Sequence, residues 1–181
     1  MSFRIIRAAI AAEQTNELHE ARLLLLLNAA DSIEGITKLA KMDFLLRYPR
    51  YLERLIKTQQ RKRPIIVPMQ EFETDTVESK MIRFRYGPWD TRYRSWIGLL
   101  QAKSLIVGRI EGANKVMLDI TEKGRAVAEQ IAALPEYENL AARASVVCTI
   151  TKNLNGTRLK DLIYEVVPEL NTMAWGQEIA P

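Results

Sequence analysis

The hydrophobic period changes twice between Asp90 and Leu134, and this constrains the fold more than any other feature of the chain. Tyr93, Trp96, Ile97 and Leu100 recur at i, i+3, i+4 and i+7, one apolar stripe on a helix expected over 91–103. Asp90 stands where a carboxylate can accept from the free amides of the first turn. After Ser104 the period becomes two. Val116, Leu118 and Ile120 point one way, and Lys115, Met117 and Asp119 the other. Gly112-Ala113-Asn114 supplies the reversal between the two strands. Thr121 then caps a helix with Val127, Ile131 and Leu134 facing inward. Helix, strand, turn, strand and capped helix make the back half of a winged-helix domain. Such domains bind DNA or protein and seldom catalyse.

Upstream, residues 14–30 are expected as a long helix. Its leucine run Leu23 to Leu27, with Leu18 and Ala29, demands burial around much of the circumference. A second helix is expected over 34–47, with Ile36, Leu39, Ala40 and Phe44 inward. Pro49 marks a break or a new start, followed by Tyr51, Leu52, Leu55 and Ile56. Residues 59–88 differ in composition. They hold Pro64, Pro68 and Pro88, the run Arg61-Lys62-Arg63, and acidic Glu71, Glu73 and Asp75, which reads as an irregular excursion with a short helix or strand near 76–86. Downstream, Tyr137, Leu140, Ala144, Val147 and Cys148 form one helical stripe. Leu159, Leu162, Ile163, Val166 and Val167 form another, with Asn155-Gly156 as the turn between them.

The expected architecture is therefore mainly α with a small β-hairpin: a winged-helix domain over 1–134 with an irregular insertion at 59–89, a C-terminal helical extension over 135–170, and a tail over 171–181. An ordinary winged helix joins its second and third helices by about four residues. Here roughly forty separate Arg47 from Asp90. An insertion there is expected to crowd the groove-facing side or to reposition the third helix, which favours holding protein or touching DNA through backbone charge alone.

At 181 residues the chain is long enough to bury roughly two thirds of its unfolded surface without staples. Its single cysteine, Cys148, leaves no partner for an internal disulfide and fits a reducing compartment. Arg4, Arg7 and Glu13 interrupt the apolar start, and Leu23 to Leu27 fall far short of the roughly 20 apolar residues of a membrane span. A cytoplasmic protein without membrane contact is expected. The net charge is +4, and residues 57–94 alone carry that excess, with 9 basic and 5 acidic side chains.

Arg83, Arg85, Arg92 and Arg94 surround Tyr86-Gly87-Pro88-Trp89-Asp90. Alternating arginines with aromatics suit phosphate contact, because each neutralised phosphate releases counterions regardless of base sequence. The plainer alternative is a solvated face with ion pairs to Asp90 and Glu78. Arg109 and Lys115 lie on the two arms of the wing, for groove contact or for solubility. Tyr86, Trp89, Asp90 and Trp175 are candidates for a partner interface, where aromatics concentrate. Tyr93 and Trp96 belong in the core. His19 is the only histidine and has no cysteine nearby in sequence, and Cys148 lies on an apolar stripe. No HExxH, phosphate-cradling glycine loop or CxxC pair is present, so neither a catalytic residue nor a metal or cofactor site is nominated.

Three segments, ARLLLLLNAADS at 21–32, KMDFLLRYPRYLERLI at 41–56 and FRYGPWDTRYRSWIGLLQAKSLI at 84–106, together resemble the middle component of bacterial ABC-three-component, Lamassu-type, anti-phage defence systems. The likeness covers roughly residues 15–134 and includes the wing followed by TEKG. It implies a non-catalytic winged-helix adaptor that bridges an SMC/Rad50-like coiled-coil ATPase and an effector, typically a nuclease. Tyr86 to Asp90 and the following helix would form part of the family's characteristic surface, and double-stranded DNA is a further candidate partner. The wing, the basic segment and terminal helices able to dimerise also suit an alternative, a dimeric winged-helix transcriptional regulator. A hydrolytic or nucleolytic enzyme is the least favoured reading.

Overall fold

Among the described residues, seven α-helices and two small antiparallel sheets make the fold mainly helical. A computed structural model describes residues 16–59, 64–74, 77 and 80–181. The run Arg61-Lys62-Arg63, Asp75, Glu78 and everything before Asn16 lie outside the described residues. Among those described, no helix is long and apolar enough to cross a membrane.

Helix α1 (Asn16–Ala30) is buried without interruption from His19 to Leu27. Burial on every side suits a helix enclosed by neighbours, and α1 packs against four of the other helices. A three-residue strand β1 (Ser32–Glu34) follows, reached through Asp31 at φ 62°. This strand replaces part of the second helix expected from Glu34. That helix, α2 (Gly35–Arg47), is itself buried all round from Leu39 to Arg47. The expected stripe of Ile36, Leu39, Ala40 and Phe44 was too narrow, because two C-terminal helices, over 138–151 and 156–166, and a β-hairpin cover the sides it left open. Helix α3 (Pro49–Thr58) starts on the proline, whose fixed φ and missing N–H suit a first helical position.

Residues 64–74 are irregular apart from a 3₁₀ turn at Glu71–Thr74. Arg143 ties them down, donating to the Glu73 carboxylate at 2.5 and 3.0 Å and to the Pro68 carbonyl at 2.8 Å. Strands β2 (Ile82–Phe84) and β3 (Gly87–Trp89) then form a tight hairpin with Arg85-Tyr86 at its turn. Helix α4 (Tyr93–Ala102) begins two residues later than expected. The Asp90 carboxylate accepts from the Arg92 amide at 3.1 Å and the Asp90 carbonyl from Tyr93, so the cap sits one turn ahead of the regular helix.

Strands β4 (Ile106–Glu111) and β5 (Lys115–Ile120) form the expected hairpin, with Gly112 at φ 63° in its turn. The pairs Ile106–Ile120, Gly108–Leu118 and Ile110–Val116 share one face, as the alternation requires. Strand β1 adds to the other edge of β5, pairing Ile33 with Leu118, so the sheet order is β1-β5-β4. Thr121 caps α5 (Glu122–Ala132) as expected, its side chain accepting from the Gly124 amide at 2.9 Å. Gly124 is required there. A Cβ would lie 1.9 Å from the Leu105 carbonyl oxygen, where the helix start presses on the connection before β4.

Helix α6 (Glu138–Thr151) packs on α1 and α2, and α7 (Gly156–Val166) packs on α2 and α3. Asn155 caps α7, accepting from Arg158. One continuous apolar core runs from Leu23 through Trp96 and Leu118 to Val147, Ile163 and Ile179. Residues 171–181, expected as a tail, are held against β2. Arg83 donates to the Gln177 carbonyl, Gly176 to the Arg83 carbonyl and Ile179 to the Met81 carbonyl, each at 2.8 Å. Tyr48 closes this contact, accepting from the Met81 amide at 2.9 Å and donating to the Ile179 carbonyl at 3.1 Å.

Candidate interaction surfaces

The most extensive polar feature lies inside the protein. Asp43 on α2 is fully buried and accepts from three side chains: Arg22 at 2.5 Å, Arg47 at 2.9 Å and the Tyr93 hydroxyl at 2.6 Å. Arg47 reaches on to Asp90 at 3.2 Å, and Arg92 donates to Asp90 at 2.9 Å. The charges alternate along Arg22, Asp43, Arg47, Asp90 and Arg92, so each buried ion has a counterpart. Burial alone would raise the Asp43 carboxyl, but Arg22 and Arg47 outweigh it and hold it well below the usual carboxylate range. Burial would raise Asp90 as well. The hydrogen bonds from Arg92 and the charge of Arg47 bring it down. His19 is buried and stacks on Trp96 with ring centroids 4.2 Å apart. Cys148 is in the core, and burial pushes its thiol up to about 12. The cluster joins α1, α2, the turn before α4 and α4 itself. Only the Asp43–Arg47 spacing of four could have announced it from sequence.

The six basic residues expected at a contact surface do not converge. Arg83 is half-buried, donating to the Leu170 carbonyl at 3.0 Å and lying over the Tyr164 ring. Arg92 is committed to Asp90 and lies over Trp96. On the β4–β5 hairpin, Arg109 donates to Asp119 at 2.7 Å and sits 3.5 Å from Glu111, while Lys115 is 3.9 Å from Glu34. The hydrogen bonds from Arg109 and Ser32 hold the Asp119 carboxyl below its ordinary value. The hairpin's cations Arg109 and Lys115 are thus answered by three carboxylates on the same face. Arg85 is exposed and lies over Tyr86, and Arg94 is exposed on α4. These two remain as open cations.

Helix α4 keeps an open outer face of Arg94, Ser95, Gly98, Gln101 and Ala102. Among the described residues of the insertion, the β2–β3 hairpin packs on α2 and α7. Beside α4, the inner face of the β4–β5 hairpin runs past the core, leaving Ile110 75 % and Val116 49 % exposed.

The aromatic candidates gather on the other hairpin. Trp89 is half-buried in β3, not in a loop as expected, and packs between Phe84 and Tyr93. Phe84 also faces Trp175, with centroids 6.1 Å apart. Phe84, Tyr86 and Trp175 are all largely exposed, whereas Asp90, expected at the same surface, is buried in the ion cluster. Beneath them is a cavity of about 100 Å³ lined by Phe84, Tyr86, Pro88, Trp89, Thr37 and Lys41. Lys41 is buried, and its ammonium donates to the Thr37 carbonyl at 3.2 Å. Burial, and then the charge of Lys160, lower its pKa to about 8. Lys41 was not anticipated from sequence. Among the described residues no three of His, Cys, Asp and Glu converge closely enough to hold a metal ion.

No protein-family model matches this chain, and no curated protein or solved structure does either.

Proposed function

We propose that this chain is a non-catalytic winged-helix adaptor that works by protein contact, bridging an SMC/Rad50-like coiled-coil ATPase and an effector nuclease in anti-phage defence. The order α1-β1-α2-α4-β4-β5, with β1 on the far side of β5 from β4, supports the reading, because a winged helix with α3 and residues 59–89 inserted before its third helix would run in this order. The observation that carries the reading is the pairing of an exposed aromatic surface at Phe84, Tyr86 and Trp175 with a wing whose charges are internally neutralised. A phosphate-binding wing would leave its cations open. An aromatic surface over a cavity is the usual make-up of a protein hot spot. The resemblance of segments 21–32, 41–56 and 84–106 to the middle component of the ABC-three-component systems supplies the partners.

Co-expression with the products of the adjacent genes, followed by mass determination of the purified assembly, tests the proposal. A stable complex containing a coiled-coil ATPase is expected. A chain that purifies alone beside an expressed ATPase overturns it.

One observation favours the second reading, a dimeric transcriptional regulator: the outer face of α4 is open and carries Arg94 and Gln101. That reading requires a symmetric dimer and tight binding to a palindrome with half-sites about one helical turn apart. A monomer without sequence preference removes it.

A further inference from the structure

Among the described residues, Lys41 has no counter-ion. It is 2 % exposed, and among those residues the only hydrogen bond of its three ammonium protons goes to the neutral Thr37 carbonyl. A buried ammonium held only by a carbonyl is costly, and the lowered pKa expresses that cost. Lys160, itself 3.2 Å from Asp161, adds positive charge near Lys41, and Arg85 stands exposed over Tyr86 at the rim. Beside Lys41 and Thr37 the cavity walls are formed by Phe84, Tyr86, Gly87, Pro88 and Trp89. The site therefore combines a positive floor, aromatic walls and an exposed aromatic rim.

We infer that this cavity is the docking pocket for an acidic side chain of a partner protein, a glutamate or aspartate carried next to an apolar residue. The carboxylate would pair with Lys41, and its methylenes would fill the space between Pro88 and Trp89. The neighbouring apolar residue would cover Phe84, Tyr86 and Trp175. Charge complementarity selects the occupant: the cations at and around the pocket disfavour a basic segment, and an apolar residue would leave the ammonium uncompensated. About 100 Å³ has room for one short side chain. The inference rests on the adaptor reading, since it specifies the chemistry by which the aromatic surface recognises its partner.

The probe is the peptide acetyl-Ala-Glu-Phe-Ala-amide, with its Gln counterpart and free propionate as controls, titrated into the isotopically labelled full chain. The readouts are the Gly87 amide and the Trp89 indole in heteronuclear NMR. We expect saturable shifts with the Glu peptide and binding about tenfold weaker with the Gln peptide, the loss set by one charge-assisted contact. In Lys41→Met the Glu and Gln peptides should bind equally. Equal binding of the two peptides to the wild-type chain overturns the pocket, as does the absence of shifts at millimolar peptide. Propionate that binds as tightly as the peptide also overturns it, making the site one for a free small anion. Should Lys41→Met fail to fold, the Glu and Gln comparison on the wild type decides the matter alone.

Co-purification separates this inference from the reading beneath it. If the ATPase joins wild-type and Lys41→Met chains alike while the Glu and Gln peptides bind equally, the pocket falls and the adaptor stands. If the Glu preference holds but no neighbour co-purifies, the adaptor falls and the pocket stands.

Discussion

Lys41 and Asp43 stand two residues apart on α2, both buried, and they have opposite electrostatic circumstances. At about 100° per residue they face directions about 200° apart. Asp43 points into a cluster where two guanidinium groups and a tyrosine hydroxyl converge on its carboxylate. Lys41 points beneath the β2–β3 hairpin, where its ammonium meets a single carbonyl. The first ion is satisfied within the fold, so its work is to join α1, α2 and α4. The second is left with capacity that the fold does not use. Buried charge that is fully paired speaks for architecture, whereas buried charge left open speaks for a partner.

The largest expected effect is at Asp43. Asp43→Asn strands Arg22 in the interior and leaves Arg47 with Asp90 alone, and losing one member of a buried pair costs about 3–5 kcal/mol. Urea unfolding at pH 7 measures it; a loss of less than about 1 kcal/mol would dissolve the contrast with Lys41. The pH dependence has a fixed sign. Because the folded pKa of Asp43 lies below its unfolded value, its stabilisation is complete above the ordinary carboxylate range and is lost as pH falls through that range and beyond. The wild type should therefore lose its advantage over Asp43→Asn as the solution is acidified.

Lys41→Met should act in the opposite direction, raising stability at pH 7 by on the order of 2 kcal/mol as a desolvated charge is removed. The folded pKa is about 8 against an ordinary 10.5, so between those values the unfolded chain binds more protons than the folded one. Wild-type stability from this group rises with pH across that window, and the advantage of Lys41→Met should shrink from pH 7.5 to pH 10. A gain that stays constant over this range would mean that Lys41 is not desolvated.

Much of the frame was legible because its signals are local. Alternation of period two exposed β4 and β5, and Thr121 and Pro49 marked helix starts through their own side chains. Strand β1 was not legible. It is three residues long, only Ile33 is buried, and its partner Leu118 is far along the chain. The C-terminal segment read as a tail because pairing with β2 uses backbone groups that leave no mark in composition. Charges were hardest to read. Sequence alone does not distinguish Arg109, answered by Asp119, from Arg94, which is open, or either from the buried Arg22. Lys41 lies off the apolar stripe of α2, and the β2–β3 hairpin that lines the cavity beside it comes from a distant part of the chain. Of the aromatic candidates, Tyr86 and Trp175 are on the surface as expected, and Trp89 is partly withdrawn into the wall of the cavity.

Tyr48 links the C-terminal strand to that hairpin, so its removal should sharpen the contrast by affecting one site alone. Tyr48→Phe deletes the hydroxyl between the Met81 amide and the Ile179 carbonyl. Leaving that amide unsatisfied should cost about 1–2 kcal/mol. In NMR the Gly87 and Trp89 signals beside Lys41 should move, and those of Arg22 and Trp96 beside Asp43 should not. Equal disturbance at both would mean that the two halves of α2 respond as one unit.

The smallest effect is expected at Arg94, where the open outer face of α4 is put to the test. Arg94 is exposed, so Arg94→Ala should leave unfolding unchanged within about 0.5 kcal/mol. Under the adaptor reading it should also leave duplex binding weak and its salt dependence unaltered, because the neighbouring wing cations are already neutralised. Fluorescence anisotropy on a palindromic and a scrambled duplex, at several salt concentrations, gives both numbers. A slope of log affinity against log salt that falls by roughly one unit would identify Arg94 as a phosphate contact. A preference for the palindrome would go further and make α4 the working surface. The open charge at Lys41 would then no longer be needed to explain how this chain meets its partner.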